Sequence, residues 1–529
     1  MRKQYNLLVG WLFILLCVGC TEDLGNYKYG TLNDVSIVFD DNLSALVLEP
    51  LQVTPELSAN PFHEEAYTYD WKAYPKNETL APILLSEERN LNVEITLDPG
   101  LYNLVYTVTE KATGLFARQT ASLLVETPLS RGWVVLGDAD NRVRLDMYSE
   151  VKQKVYADLL KGTELADWKQ PKSIQFVLNQ SIAESPFYLL TGSGATRLSS
   201  HDFAFKEEYR FAYELGSSSG AEVIPDVLGI NGTGKMVIAS GKPYYCDNTM
   251  GDGLFGVPRK NSYDVAPFIG CDALSDHYAP TFLMYDTTNK RFVVCAEQFS
   301  VNDILGYPMA SDVALSSLGS YGFPVGEENL FELPAAGMYD LVTMQNTAYD
   351  PGNRGFGTTY TVLAKDNQRV LYGFALGDLV SIRYPEKYGS VYTKILYRDL
   401  SACTDIDKAT LFAFSSLKNY MYYAVKGVVY RVDLNVQACT AELQFTLPNE
   451  EEITCLKFYA CTQADNARRS YDLIVGSRTH ETTDSPGVLR IYDGWKTEGN
   501  FLNAQPSEEY KGFAVIKDVL YREMITSYE

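Results

Sequence analysis

The chain has 529 residues, 45 basic and 67 acidic, giving a formal net charge of -22. A surface this acidic repels phosphate backbones and anionic headgroups, which argues against nucleic acid as a partner and against a peripheral protein held on lipid by charge. The length exceeds one ordinary domain core, and 38 Tyr, 38 Gly and 22 Pro with few helical stretches describe an all-β chain.

The first segment reads as an export signal. Arg2 and Lys3 precede an apolar run from Leu7 to Val18, and Gly19 leads to Cys20. About 12 apolar residues are too few to span roughly 30 Å of hydrocarbon. A signal that ends on a cysteine predicts cleavage before Cys20, with lipid on its sulfur and on the new amino terminus. Residues 1–19 are then a signal peptide and 20–30 a lipidated leader, and the mature chain is tethered to a membrane rather than threaded through it. Cys17 stands where such signals usually carry Leu, with Leu15 and Leu16 close by. Loss of residues 1–19 removes Arg2 and Lys3 and leaves 43 minus 67, or -24. The segment from Cys20 to Tyr29 resembles the start of Bacteroidetes surface lipoproteins. There, acidic residues behind the lipidated cysteine direct display on the outer face, and the resemblance gives that role to Thr21, Glu22 and Asp23.

Residues 31–128 read as a small β-sandwich of the immunoglobulin type. Alternating runs at 35–39, 66–74 and 92–97 are followed by a Pro99-Gly100 turn, a strand over 101–109, a turn at Gly114 and a strand over 116–126. Trp71 is expected in its core. The Asp70-Trp71 strand, followed by Gly100-Leu101-Tyr102 and a long apolar strand, resembles PKD-type domains. His63 lies in a loop and is expected to be solvated.

Residues 130–529 repeat a strand–turn–strand unit. Hairpins begin near 133, 187, 234, 282, 360, 420 and 471, at intervals that leave room for two further strands each. Seven such units predict a seven-bladed β-propeller, with six or eight blades or a string of sandwiches as the alternatives. Of the seven cysteines besides Cys17 and Cys20, Cys295 and Cys455 fall inside strand-like runs and are expected to be buried. Cys246 and Cys271 flank a Gly-rich stretch and are candidates for a disulfide clamp.

Two stretches are longer than simple strand connections, 241–280 and 296–338. Their aromatic and polar residues are the candidate ligand contacts: Tyr244, Tyr245, Tyr263, His277, Tyr307 and Tyr321. The four histidines are scattered, and no His-Glu-x-x-His, Gly-x-Ser-x-Gly or phosphate loop occurs. Asp138, Asp140 and Asn141 could ligate calcium, but a polar hairpin turn explains them better. No metal, cofactor or catalytic residue is expected.

The leader, the Trp71 sandwich and the propeller-like remainder together resemble the PKD-like lipoproteins of Bacteroidetes. That resemblance implies an outer-membrane lipoprotein facing the cell exterior, an accessory binding or scaffold subunit of a SusC/SusD-type nutrient importer that handles oligosaccharides or peptides. The alternatives are a propeller glycoside hydrolase, lyase or peptidase acting on the same nutrient, and a purely structural envelope protein.

Overall fold

The structure is a computed structural model that describes residues 35–523, except 77–80, 178–186, 217–222, 232–233, 248–253, 257–262, 272–280, 297–312, 315–336, 352–356, 377–391, 462–463 and 482. Cys20, Thr21, Glu22, Asp23, His277, Tyr307 and Tyr321 lie outside the described residues. The chain divides into two compact units. One holds the described residues up to Leu97 with Leu101–Val125, the other Asp98–Gly100 with Glu126 onward.

The first unit is a PKD-like β-sandwich. Its larger sheet runs Asn42–Leu46, Phe116–Glu126, Gly100–Glu110, Tyr67–Pro75, Ile83–Ser86 in spatial order. Two small antiparallel pairs complete it, Pro50–Val53 with Leu91–Glu94 and Ser36–Val38 with Glu56–Ser58. Trp71 is fully buried, stacks on Tyr106 at 4.0 Å between ring centroids, and donates its indole N–H to the Glu88 carbonyl at 3.1 Å. The ring thus fills the core while its polar atom stays satisfied.

The second unit contains seven antiparallel sheets in chain order. Blade 1 has Gly132–Ala139, Arg142–Ser149 and Lys154–Tyr156, and takes its inner strand, Val515–Arg522, from the far end of the chain. Blade 2 is Pro171–Phe176, Phe187–Thr191 and Ala195–Leu198. Blade 3 is Val227–Asn231, Gly234–Ala239 and Lys242–Asp247. Blade 4 is Thr281–Asp286, Arg291–Ala296 and Val313–Ala314, its inner position held by single bridges from Val265 and Gly270. Blades 5, 6 and 7 have four strands each, beginning at Asp340–Thr347, Leu411–Phe414 and Glu452–Lys457.

Each neighbouring pair of blades shares one apolar core, and the seven cores close a ring. The strand Gly132–Ala139 shows why. Val134 and Leu136 pack toward blade 2, Trp133 and Val135 toward blade 7, and all are fully buried. Middle strands buried on both faces are apolar at most positions, which is the signal the seven hairpins carried.

Polar side chains stitch the inner strands to one another around the axis. Asp518 accepts from the Ile174 N–H at 3.0 Å and from Lys457 at 2.6 Å, tying blade 1 to blades 2 and 7. Gln175 donates to the Leu228 carbonyl and Gln345 to the Phe412 carbonyl. Asn346 donates to the Ile269 carbonyl and accepts from the Cys271 N–H. The Cys271 thiol donates to the Ile230 carbonyl at 3.3 Å, and Cys271 packs between blades 3 and 4 whereas Cys246 packs between blades 2 and 3. The expected Cys246–Cys271 clamp is therefore not formed, because successive interblade cores separate the two. Cys455 is buried in its strand as expected.

Leu520 is fully buried between blades 1 and 2, on the strand that closes the ring. Leu520→Ala should cost about 2–5 kcal/mol, while Leu502→Ala, at a side chain 49% exposed, should cost roughly 0.5 kcal/mol or less. Urea titration followed by tryptophan fluorescence reads both.

Candidate functional site

The turn joining the two middle strands of a blade is short in six blades. Asp140 and Asn141 suffice in blade 1, Ser240 and Gly241 in blade 3, Asp366 and Asn367 in blade 5, Lys426 and Gly427 in blade 6. Residues 192–194 and 287–290 serve blades 2 and 4. Asp140 and Asn141 both take positive φ, 54° and 64°, and the Asp138 carboxylate accepts the Asn141 N–H at 2.7 Å. This is the polar hairpin turn expected of Asp138, Asp140 and Asn141. Blade 7 departs from the rule, because residues 479–486 separate Arg478 from Gly487.

That long turn stands beside the start of the closing strand, since Val515 pairs with Asp138. Between it and blade 1 lies a cleft of about 1010 Å³. Arg478, His480, Glu481 and Asp484 line one wall, Asp138, Asp140, Arg142, Asp158 and Lys161 the other, and Lys517 of the closing strand also lines it.

One buried arginine fixes the geometry. Arg144 donates from Nε to Asp146 at 2.7 Å, from Nη1 to the Asp484 carbonyl and the Ser485 hydroxyl, both at 2.9 Å, and from Nη2 to the Gly512 carbonyl at 3.0 Å. Asp146 is fully buried and also accepts the N–H groups of Asp158 at 2.8 Å and Ala514 at 3.2 Å. Burial pushes its carboxyl above the ordinary range, against these hydrogen bonds and the Arg144 charge. The pair thus locks the blade 7 turn, the link from blade 7 to blade 1 and the link from blade 1 to blade 2. His480 adds a ring-nitrogen contact to the Glu450 carbonyl at 2.9 Å, and the Thr479 N–H donates to the Pro486 carbonyl across the base of the turn.

The cleft's own charges are left unpaired. Lys161, Arg478 and Lys517 are exposed, and neither they nor the carboxylates of Asp140, Glu481 and Asp484 make a side-chain hydrogen bond or ion pair among the described residues. Oδ1 of Asp158 is buried and has no hydrogen-bond partner there. The other end of the same blade junction contrasts with this. Arg469 bridges Glu150 at 2.7 Å and Glu508 at 3.0 Å, Tyr521 donates to Glu150, and Trp133 and Tyr510 donate to Glu508. Every charged group in that cluster has a hydrogen-bonded partner, as packing alone requires.

A second hollow, about 380 Å³, lies between blades 6 and 7 over Phe445 and Tyr492. Its Arg490 is engaged by Glu451, Ser477 and Glu509. Asp472 is a buried carboxyl apart from both hollows. Burial pushes it up to about 7, opposed by the Gly494 N–H at 3.2 Å and helped by the charge of Asp493.

Three of the five tyrosines read from sequence as ligand contacts, Tyr244, Tyr245 and Tyr263, take packing positions. Tyr263 is buried in the core between blades 3 and 4, with Arg291 over its ring. Tyr245 packs against the same core, edge-on to Phe282, and Tyr244 against the core between blades 2 and 3. None lines the cleft. The cleft residues themselves were not singled out, apart from the Asp138 turn. The available signal was the length of one turn, 479–486, within an otherwise regular series.

The model of the PKD-like family matches residues 20–166. A quinonprotein alcohol dehydrogenase-like protein of Bacteroides thetaiotaomicron is 15% identical over 92% of this chain and 97% of its own, with a TM-score of 0.42. PorZ, a surface component of the type-IX secretion system of Porphyromonas gingivalis, is 9% identical over 88% of this chain and 57% of its own, with a TM-score of 0.33. The PKD domain of human KIAA0319 is 20% identical over 20% of this chain and 90% of that domain, with a TM-score of 0.16. No protein of curated function matches the chain.

Arg144→Met should destabilise by about 3–5 kcal/mol at neutral pH, because it strands a buried carboxylate, and the loss should shrink as pH falls and Asp146 takes a proton. Asp472 supplies a second pH test. Its folded pKa, about 7, lies above the unfolded value of about 3.9, so the stability it contributes is complete below about pH 4 and is lost as pH rises to about 7. Asp472→Asn should therefore gain up to roughly 4 kcal/mol over the parent between pH 4 and pH 8. Denaturant midpoints measured across that range check both substitutions.

Proposed function

We propose that this chain is a non-enzymatic binding subunit, lipid-anchored through Cys20 at the outer face of the outer membrane, and that it serves a SusC/SusD-type importer of oligosaccharides or peptides. The observation that carries the binding role is the cleft between blades 1 and 7. Its walls are fixed by Arg144 and Asp146, and its facing charges are left for something other than the protein itself. A rigid frame around unneutralised polar groups suits recognition, since little ordering remains to be done on binding.

Support for the anchored location comes from the leader and the family match. The match with the PKD-like family begins at Cys20, the residue where the export signal ends. Among the described residues no helix is long and apolar enough to cross a membrane. Thr21, Glu22 and Asp23 then serve outward display, and the PKD-like unit stands in the chain between anchor and propeller as a spacer.

Three measurements test this. Protease added to intact cells should degrade the protein, and Cys20→Ala should release it from the membrane fraction. Tagged protein drawn from solubilised outer membrane should bring a SusC/SusD pair with it. Full protection in intact cells, or recovery without any importer component, would overturn the reading.

A further inference from the structure

We infer that the cleft between blades 1 and 7 binds a peptide segment carrying both cationic and anionic groups, in preference to an oligosaccharide. This rests on the cleft being the ligand site, and it goes further by choosing between the two nutrient classes.

The choice follows from what the walls present. Set Arg144 aside, since Asp146 and the turn consume it. Arg142, Lys161, Arg478 and Lys517 remain on the cationic side, Arg142 with one contact to the Ala166 carbonyl; Asp140, Glu481 and Asp484 are among the anionic. Both signs face one space and do not neutralise each other among the described residues. A neutral glycan would desolvate these charges and return only hydroxyl hydrogen bonds, a poor exchange. A uronic-acid glycan would satisfy the cations and press its carboxylates against the protein's own. A peptide supplies ammonium or guanidinium groups and carboxylates on one chain, so each wall finds a complement.

The residue types agree. Among the described residues the lining contains one imidazole, His480, but no Phe, Tyr or Trp and no Asn or Gln, the groups that most often stack on sugar faces and fork onto vicinal hydroxyls. The volume, about 1010 Å³, lies at the upper end of the range for sites that enclose small ligands and has room for a short peptide segment. The contrast with the saturated Arg469 cluster removes the alternative that charges gather at this junction only to hold the blades together.

The test uses full-length protein purified from membranes in detergent. Fluorescence anisotropy is measured with a labelled peptide of alternating Lys and Glu, with unlabelled neutral maltooligosaccharide and oligogalacturonate as competitors. The peptide should bind, and raising salt from roughly 0.05 to 0.5 M should weaken it. The double variant Arg478→Ala/Lys517→Ala and the double variant Asp140→Asn/Glu481→Gln should each lose about tenfold or more in affinity. All these side chains are exposed, so folding should be unaffected, and the urea midpoint confirms that. Displacement by either saccharide but not by excess peptide, equal binding by both double variants, or no peptide binding at all would overturn the inference. Importer co-purification is read separately, so a failed peptide assay alongside a recovered importer sinks the peptide class and leaves the accessory role standing.

Discussion

Val515–Arg522 pairs with Gly132–Ala139 across almost the whole length of the second unit, and the rest of the propeller depends on that antiparallel ladder. Without it the seven sheets would form an open arc with two apolar blade faces in water. With it, Ile516, Val519 and Tyr521 enter the core shared with blade 7, and Leu520 enters the core shared with blade 2. The entropy of closing so long a loop rises only logarithmically with its length, whereas closing the seam buries both blade faces that the arc would expose. Closure of this kind is nevertheless slow to reach, because its contacts lie far apart in sequence.

The seam is also where side chains do unusual work. Elsewhere, neighbouring inner strands are held by an amide or thiol reaching a backbone group, as Gln175, Gln345 and Cys271 do, and blades 2 and 3 also by the Lys172–Asp226 pair. At the seam two arginine systems are spent, one buried and one half-buried. Arg469 gathers Glu150, Glu508 and two aromatic rings at one end. Arg144 gathers Asp146 and three backbone or hydroxyl acceptors at the other. A buried ion pair is a weak source of net stability, since desolvation offsets most of its attraction. What it supplies is position, and the Arg144 pair positions the one long turn of the series.

The middle strands of the blades were legible in the sequence because both their faces are buried. Trp133, Val134, Val135 and Leu136 leave no ambiguity about a strand, and the same holds for Phe187, Leu189 and Leu190. Inner and outer strands were not legible. Pro171–Phe176 mixes Lys172 and Gln175 with its apolar residues because it faces the axis, and the inner edge of blade 4 is only a pair of bridges at Val265 and Gly270. In the first unit the strong strands around Trp71 and Leu104 could be read, while the short edge strand Ile83–Ser86, with Ile83 and Leu84 exposed, could not.

The site was hard to read for a different physical reason. Aromatic residues were the natural guide to a binding surface, yet in a sheet protein rich in tyrosine most rings are needed as packing, as Tyr263 shows by burying itself between blades. Charged residues, in a chain with so many, give no contrast in sequence. Contrast exists only in space, where one can ask whether a charge has been answered. Glu451 and Arg490 answer each other in two hydrogen bonds, and Arg469 is answered twice. Arg478, Lys517 and Lys161 are not, although carboxylates stand in the same cleft and flexible side chains on one molecule can pair when the backbone lets them approach. Arg144 holds this turn through the Asp484 carbonyl and the Ser485 hydroxyl, so the clamp braces the seam and fixes one wall of the cleft without consuming these charges.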